Sequence, residues 1–251
     1  MERRNLRMTL AYDGTDFLGW ERQAEGRTVQ GVVEAALAEL HGHPVEVSVA
    51  GRTDSGVHAK GQVVNFRTDA SVPDERFPYA LNSLLPKDVR AVGSRRVSDA
   101  FHARFDAVAR VYAYYFQTGE FESPIDRRFA WHLRREPSVA ALNSLAAALV
   151  GTHDFTTFAA AGDASQSRVR DIFTAAFYRE GPHLVFRIAG NAFLYRMVRS
   201  LVGTMIGFEA EGANPLRMRE VLAARERELA GPTAPPNGLF LVKVVYDGEP
   251  L

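Results

Sequence analysis

VEVSVAGRTDSGVHAKGQVVNFR, residues Val45 to Arg67, sets two extended runs on either side of a turn-prone loop. Val45, Val47 and Val49 alternate as in a half-buried strand, and Gln62 to Arg67 resumes a β-branched, extended pattern. Between them GRTDSGVHA, Gly51 to Ala59, holds one carboxylate, Asp54, one guanidinium, Arg52, and two glycines. Asp accepts neighbouring backbone N–H groups and Gly supplies positive φ, so this composition suits an ordinary tight connection. It equally suits a functional site, because a loop tied down by strands at both ends presents a side chain at a fixed position. Asp54 is the candidate for the reacting group.

Outward from that loop, the pattern reads as alternating strands and helices. Leu6, Met8, Leu10 and Tyr12 alternate as a strand, and a helix follows from about Val29, with Thr28 as its N-cap. Val29, Val32, Val33, Ala36, Leu37 and Leu40 keep the i, i+3, i+4, i+7 spacing of one buried face. After the strand pair, Phe77, Ala80, Leu81 and Leu84 mark a helix, and Val89 to Val97 is extended. The order β-α-β-β-α-β is the ferredoxin-like, or split βαβ, arrangement.

The second half repeats that order with longer parts. A strand is expected over Ala107 to Gln117, a weaker one over Phe129 to Leu133, and a helix over Val139 to Val150. Ile172 to Arg179 and Leu184 to Ala189 flank Glu180-Gly181-Pro182 as a hairpin. Helices are expected from near Ala192 and after Pro215, and Leu239 to Tyr246 alternates as a closing strand. The Pro-rich Gly231 to Gly238 reads as a mobile or semi-rigid connection. The expected fold class is therefore α/β (α+β). Two ferredoxin-like halves, residues 1–105 and 106–251, would join edge to edge in one continuous mixed, largely antiparallel sheet with flanking helices. The halves share architecture and no visible sequence identity.

Composition narrows the function classes. At 251 residues, 46% hydrophobic and 24% charged, the chain is an ordinary globular one with ample core. No apolar run is long enough to span a bilayer, and the polar start MERRNLRMTL lacks a secretory h-region, so a cytoplasmic location is expected. The absence of cysteine excludes disulfides, thiolate zinc sites and a Cys nucleophile. Histidines at 41, 43, 58, 102, 132, 153 and 183 have no paired zinc-type spacing, so no metal is expected. Phosphate-loop, dinucleotide and nucleophile-elbow motifs are missing, and no cofactor is expected. Thirty basic and thirty acidic residues cancel, but unevenly: residues 166–199 carry six Arg against two acids, and residues 1–50 five Arg against eight. A basic zone on the later elements follows, rich in the side chain best suited to phosphate and base contact.

GRTDSGVHA resembles the signature of the TruA-type tRNA pseudouridine synthases, and further blocks extend the likeness in family order. They are YDGTDFLGW (12–20), TVQGVVEAAL (28–37), FHARFDAVARVYAYYF (101–116), DFTTF (154–158), QSRVRDI (166–172), GNAFLYRMVRSLVG (190–203) and GLFLVKVVY (238–246). The resemblance implies the pseudouridine synthase fold and isomerisation of uridine to pseudouridine in tRNA. The substrate it implies is the anticodon stem-loop at positions 38, 39 and 40, read by shape and phosphate contacts. It also implies a homodimer acting without cofactor or metal.

Residue by residue, the resemblance makes Asp54 the catalytic carboxylate, Arg199 its ion-pair partner and Tyr112 the ring lying against the target uracil. Arg52, which would fill the place of a flipped-out nucleotide, joins Thr53 and His58 in the substrate-binding set. By chemistry alone His58 also suits a loop-shaping hydrogen bond, and Tyr114 and Phe116, on the same strand face as Tyr112, suit the core. Asp54 has three routes: attack at C1′, attack at C6, or abstraction of a sugar proton to give a glycal. Three residues depart from the family pattern: Glu21 where Gln is expected, Ser55 for Ala, and Val111 for a basic residue. A split βαβ protein that binds structured RNA without chemistry is the alternative reading.

Overall fold

The computed structural model describes residues 3–251. The chain divides into two compact units: residues up to Val108 together with Phe240–Pro250, and Ala109–Leu239. In the first unit β1 (Arg4–Tyr12), α1 (Val29–His41), β2 (Ser48–Val49), β3 (His58–Thr68), α2 (Phe77–Asn82) and β4 (Val89–Val97) follow in the expected order. β1 lies between β3 and β4, antiparallel to both, with Met8 opposite Val64 on one side and Ser94 on the other. Leu6, Met8 and Leu10 have no exposed surface, nor do Val33 and Leu37 of α1. Each such side chain removed from water contributes about 1.5–3 kcal/mol. Thr28 caps α1 by accepting the Gly31 N–H at 3.3 Å, and Gly42, at φ 72°, ends it in the left-handed region.

The strand expected over residues 45–50 shrinks to Ser48–Val49. The cause is a buried carboxylate: the Val47 N–H donates to Glu34 Oε1 of α1 at 3.2 Å, so it is unavailable to a sheet ladder. Glu34 is held in turn by Gln30 Nε2 at 3.0 Å and Arg22 Nε at 3.3 Å.

The second unit takes in β5 (Ala107–Thr118) from Ala109 onward, then β6 (Trp131–Leu133), α3 (Val139–Ala146), β7 (Gly151–Asp154), β8 (Val169–Glu180), β9 (His183–Gly190), α4 (Met197–Ala210) and α5 (Leu216–Ala224). β5, β9, β8 and β7 pair antiparallel in that spatial order, and β6 adds parallel to β5 with Trp131 opposite Phe116. The β8–β9 hairpin turns through Gly181 at φ 57°. Asn143 pins α3 to β8 by donating to the Phe177 carbonyl at 2.9 Å and accepting its N–H at 2.7 Å. β7 has no counterpart in the sequence reading, because Gly-Thr-His-Asp shows no apolar alternation. The helix expected from Ala192 begins instead at Met197, after Arg196 takes a left-handed φ of 57°.

The closing strand β10 (Leu239–Tyr246) runs parallel to the start of β3, Phe240 and Leu241 opposite His58 and Ala59. Beyond it Glu249 receives Arg7 in a fork, Nη1 to Oε1 at 2.6 Å and Nη2 to Oε2 at 3.3 Å, with Arg95 Nη2 at 2.9 Å from Oε1. The Arg7 guanidinium also lies 4.1 Å from the centre of the Tyr246 ring. Hydrogen bonding to Arg7, the largest cause, holds the Glu249 carboxyl below its ordinary value of 4.5. A depressed folded-state pKa contributes stability that is complete above the unfolded value and is lost as pH falls through the folded one. Glu249→Gln should therefore cost about 1.5–3 kcal/mol at pH 7. The gap between variant and native urea-unfolding free energies should narrow as pH is lowered below 4.5.

Candidate active site

Ala50 donates its N–H to the Val63 carbonyl at 2.9 Å, after which the chain leaves the sheet and returns as His58 opens β3. The segment Tyr12–Trp20 grips this loop along its length. The Trp20 N–H donates to the Thr53 carbonyl at 3.0 Å, and the Phe17 carbonyl accepts both the Gly56 N–H at 3.3 Å and the Ser55 hydroxyl at 3.2 Å. The Gly14 N–H donates to His58 Nδ1 at 2.9 Å. Such closeness needs bare backbone: a Cβ at Gly14 would lie 2.0 Å from the Val57 carbonyl oxygen, and one at Gly19, itself at φ 99°, would lie 2.7 Å from that of Thr53.

A buried polar network braces the loop from beneath. The Tyr12 and Thr53 hydroxyls lie 2.8 Å apart. Gln62, fully buried, donates from Nε2 to the Gly51 carbonyl at 2.6 Å and to the Tyr12 hydroxyl at 3.3 Å. Burial pushes the Tyr12 phenol up to about 12, against the opposing pull of its bonds to Thr53 and Gln62. Within this frame the Asp54 carbonyl accepts the Val57 N–H at 3.1 Å, Gly56 turns at φ 75°, and the Asp54 side chain sits half-buried.

The other loop residues take distinct positions. Thr53 is buried against Tyr12. Arg52 is exposed, with Nη2 2.7 Å from Glu21 Oε1. His58 is fully buried, stacked on Phe240 with ring centres 4.5 Å apart, and Asp13 Oδ1 lies 3.2 Å from its Nδ1. Its Nδ1 accepts the Gly14 N–H at 2.9 Å. His58 therefore makes a loop-shaping hydrogen bond of the kind its chemistry suggests.

Tyr112 and Arg199 belong to the second unit. Tyr112, on β5 opposite Ile188, is buried and meets Phe193 edge to face at 5.1 Å. Tyr114 and Phe116 are fully enclosed, as expected of core residues. Arg199, on α4, exchanges two bonds with Ala234: Nε to its carbonyl at 2.8 Å, and the Ala234 N–H to the Arg199 carbonyl at 3.1 Å. Burial raises the Tyr114 phenol, whose hydroxyl donates to the Pro235 carbonyl at 2.7 Å. Asn237 Nδ2 donates to the Arg127 and Ala130 carbonyls at 2.8 and 3.0 Å. Thus Gly231–Gly238, expected to be mobile or semi-rigid, is anchored at several points, and it fixes the backbone that holds Arg199.

Tyr12 and Gln62 carry the loop's support but are not among the sequence-based candidates. The signal for Tyr12 lay in YDGTDFLGW, whose glycines mark close backbone approach. Gln62 had none, being one polar side chain in a β-branched run. Among the described residues no group of three or more His, Asp or Glu is placed to hold a metal ion, and no helix is long and apolar enough to cross a membrane.

A backbone-clamped loop presenting a half-buried aspartate, on a split βαβ unit, is a frame suited to an enzyme that needs one fixed carboxylate. The family described as tRNA pseudouridine synthase matches residues 8–106 and 145–247. The chain belongs to that family. It is 47% identical to the tRNA pseudouridine synthase A of Treponema denticola, over 97% of this chain and 93% of that one. It is 43% identical to the protein of the same name from Bacillus pumilus, over 96% and 99%. Among solved structures, one in the archaeal box H/ACA sRNP Nop10-Cbf5 complex aligns over 80% of this chain and 43% of that one, at 12% identity and a TM-score of 0.34, a likeness too slight to bear on function.

Gly14→Ala tests the clamp. With a Cβ 2.0 Å from a carbonyl oxygen it should lose about 1–3 kcal/mol in urea unfolding. Gly93→Ala, where a Cβ meets nothing within 4 Å, should be neutral or slightly stabilising.

Proposed function

We propose that this protein isomerises uridine to pseudouridine in tRNA, with Asp54 as the catalytic carboxylate. The observation that carries the reading is the position of Asp54. It sits in GRTDSGVHA, inside the family-matched residues 8–106, on a loop held through the backbone of Gly51, Thr53 and Gly56 and the side chains of Ser55 and His58. The reaction breaks the C1′–N1 glycosidic bond, turns the uracil and joins C5 to C1′, after which the C5 proton is lost. The base is both leaving group and returning nucleophile, so one carboxylate and a pocket that retains the detached base suffice. The reacting carbon is out of reach in a stacked strand, so the nucleotide must flip out.

The site is completed on the strength of the family blocks. Tyr112 supports the flipped uracil, Arg199 is the cation that keeps the carboxylate ionised, and Arg52 enters the space the nucleotide leaves, with Thr53 and His58 holding the loop against the substrate. The same blocks support the anticodon stem-loop as substrate, at positions 38, 39 and 40, with recognition by shape and phosphates. A homodimer in the cytoplasm is the proposed working form.

Incubation with unmodified tRNA carrying tritium at uridine C5 tests the reading, since tritium release accompanies only the reaction. Asp54→Asn should keep tRNA binding and lose turnover by at least on the order of a thousandfold. Binding without tritium release by the native protein would instead identify a non-catalytic RNA-binding module. At Tyr112, replacement by Leu should weaken productive binding by about 1–3 kcal/mol, the worth of one stacked base, in single-turnover titrations. Replacement by Phe should keep that stacking, and a fully active Phe variant would deny the hydroxyl a chemical role.

A further inference from the structure

Beside the candidate catalytic loop lies an ion pair between Arg52 and Glu21, a residue to which the reaction as proposed gives no part. Arg52 Nη2 is 2.7 Å from Glu21 Oε1, with the two side chains 62% and 52% exposed. Backbone bonding keeps the partners side by side, because Trp20, just before Glu21, donates its N–H to Thr53, just after Arg52, at 3.0 Å. The bare backbone of Gly19 permits that approach. The next cation along the chain turns elsewhere: Arg22 Nε reaches Glu34 Oε2 at 3.3 Å and its N–H reaches Gln30 Oε1 at 3.2 Å.

An exposed pair of this kind adds little to folding. Its consequence falls on a polyanionic ligand. A guanidinium presents a planar fork suited to phosphate and to stacking, and here a carboxylate already occupies one Nη of that fork. An RNA strand reaching Arg52, two residues from Asp54, must take the guanidinium from Glu21 and approach against the negative charge left behind.

We propose that Glu21 is a built-in competitor for tRNA: it holds Arg52 folded along the Trp20–Glu21 segment at rest and gives it up when the substrate strand docks beside Asp54. The proposal rests on the tRNA reading above. Glu21 thereby weakens tRNA binding and hastens departure of the modified product, a limit on affinity set by one side chain.

A double-mutant cycle tests it, using the native protein, Glu21→Gln, Arg52→Gln and the double variant. Affinity for unmodified tRNA is measured against salt concentration, and pseudouridine formation is measured alongside. Glu21→Gln should bind roughly two- to fivefold more tightly at low salt, the size of an exposed ion-pair effect. The gain should vanish in the Arg52→Gln background, because without Arg52 there is nothing for Glu21 to withhold. Unchanged or weaker binding by Glu21→Gln overturns the proposal, as does an equal gain in the Arg52→Gln background, which would reduce Glu21 to general charge repulsion. If the native protein neither binds tRNA nor forms pseudouridine, both the proposal and the reading beneath it fall. If it forms pseudouridine while Glu21→Gln binds as it does, only the proposal falls.

Discussion

The candidate site depends on one close approach between two stretches of backbone. Residues 12–20 reach the loop carrying Asp54 through N–H groups at Gly14 and Trp20 and a carbonyl at Phe17, and positions 14 and 19 permit this because neither carries a Cβ. A flexible loop would spend binding energy on ordering itself at each encounter, and it would hold a reacting group less accurately than chemistry requires. Here order is supplied in advance, by main-chain bonds from Trp20 to Thr53 and from Gly56 to Phe17 and by the side chains of His58 and Ser55 bonded to the backbone of Gly14 and Phe17. The buried Tyr12–Thr53–Gln62 network then stiffens the loop from the sheet side.

A similar economy operates in the second unit. Arg199 is placed by its paired bonds to Ala234, and the Pro-rich stretch that supplies Ala234 is fixed by Tyr114 and Asn237. In both units a residue proposed for chemistry stands on backbone that other residues immobilise. Arg52 is the contrast, exposed and held by a single carboxylate, and it is the loop residue best able to move toward a ligand.

Much of this was legible in the sequence where burial is one-sided and local. The α1 face with its Thr28 cap, the span Val89–Val97, the hairpin around Gly181 and the buried Tyr114 and Phe116 all follow from periodicity and turn chemistry. Asp54 stood out through its motif. What stayed hidden depends on partners distant in the chain: Glu34 takes the Val47 N–H and shortens β2, and Gln62 joins Gly51 to Tyr12. The anchoring of Gly231–Gly238 and the Glu21–Arg52 pair are likewise nonlocal, and β7 has a polar sequence that no pattern separates from a loop. Periodicity reports which face meets the core and carries no information about which polar atom answers another.

The central claim is that the Asp54 loop is rigid before any substrate arrives. Residue-resolved amide hydrogen exchange on the RNA-free protein measures this directly, at the N–H groups of Gly14, Trp20 and Val57, which donate to His58, Thr53 and Asp54. The account predicts exchange as slow as that of the paired amides of β1 and β3, through opening close to global unfolding. Exchange at the rate of an exposed loop at these three positions would contradict it.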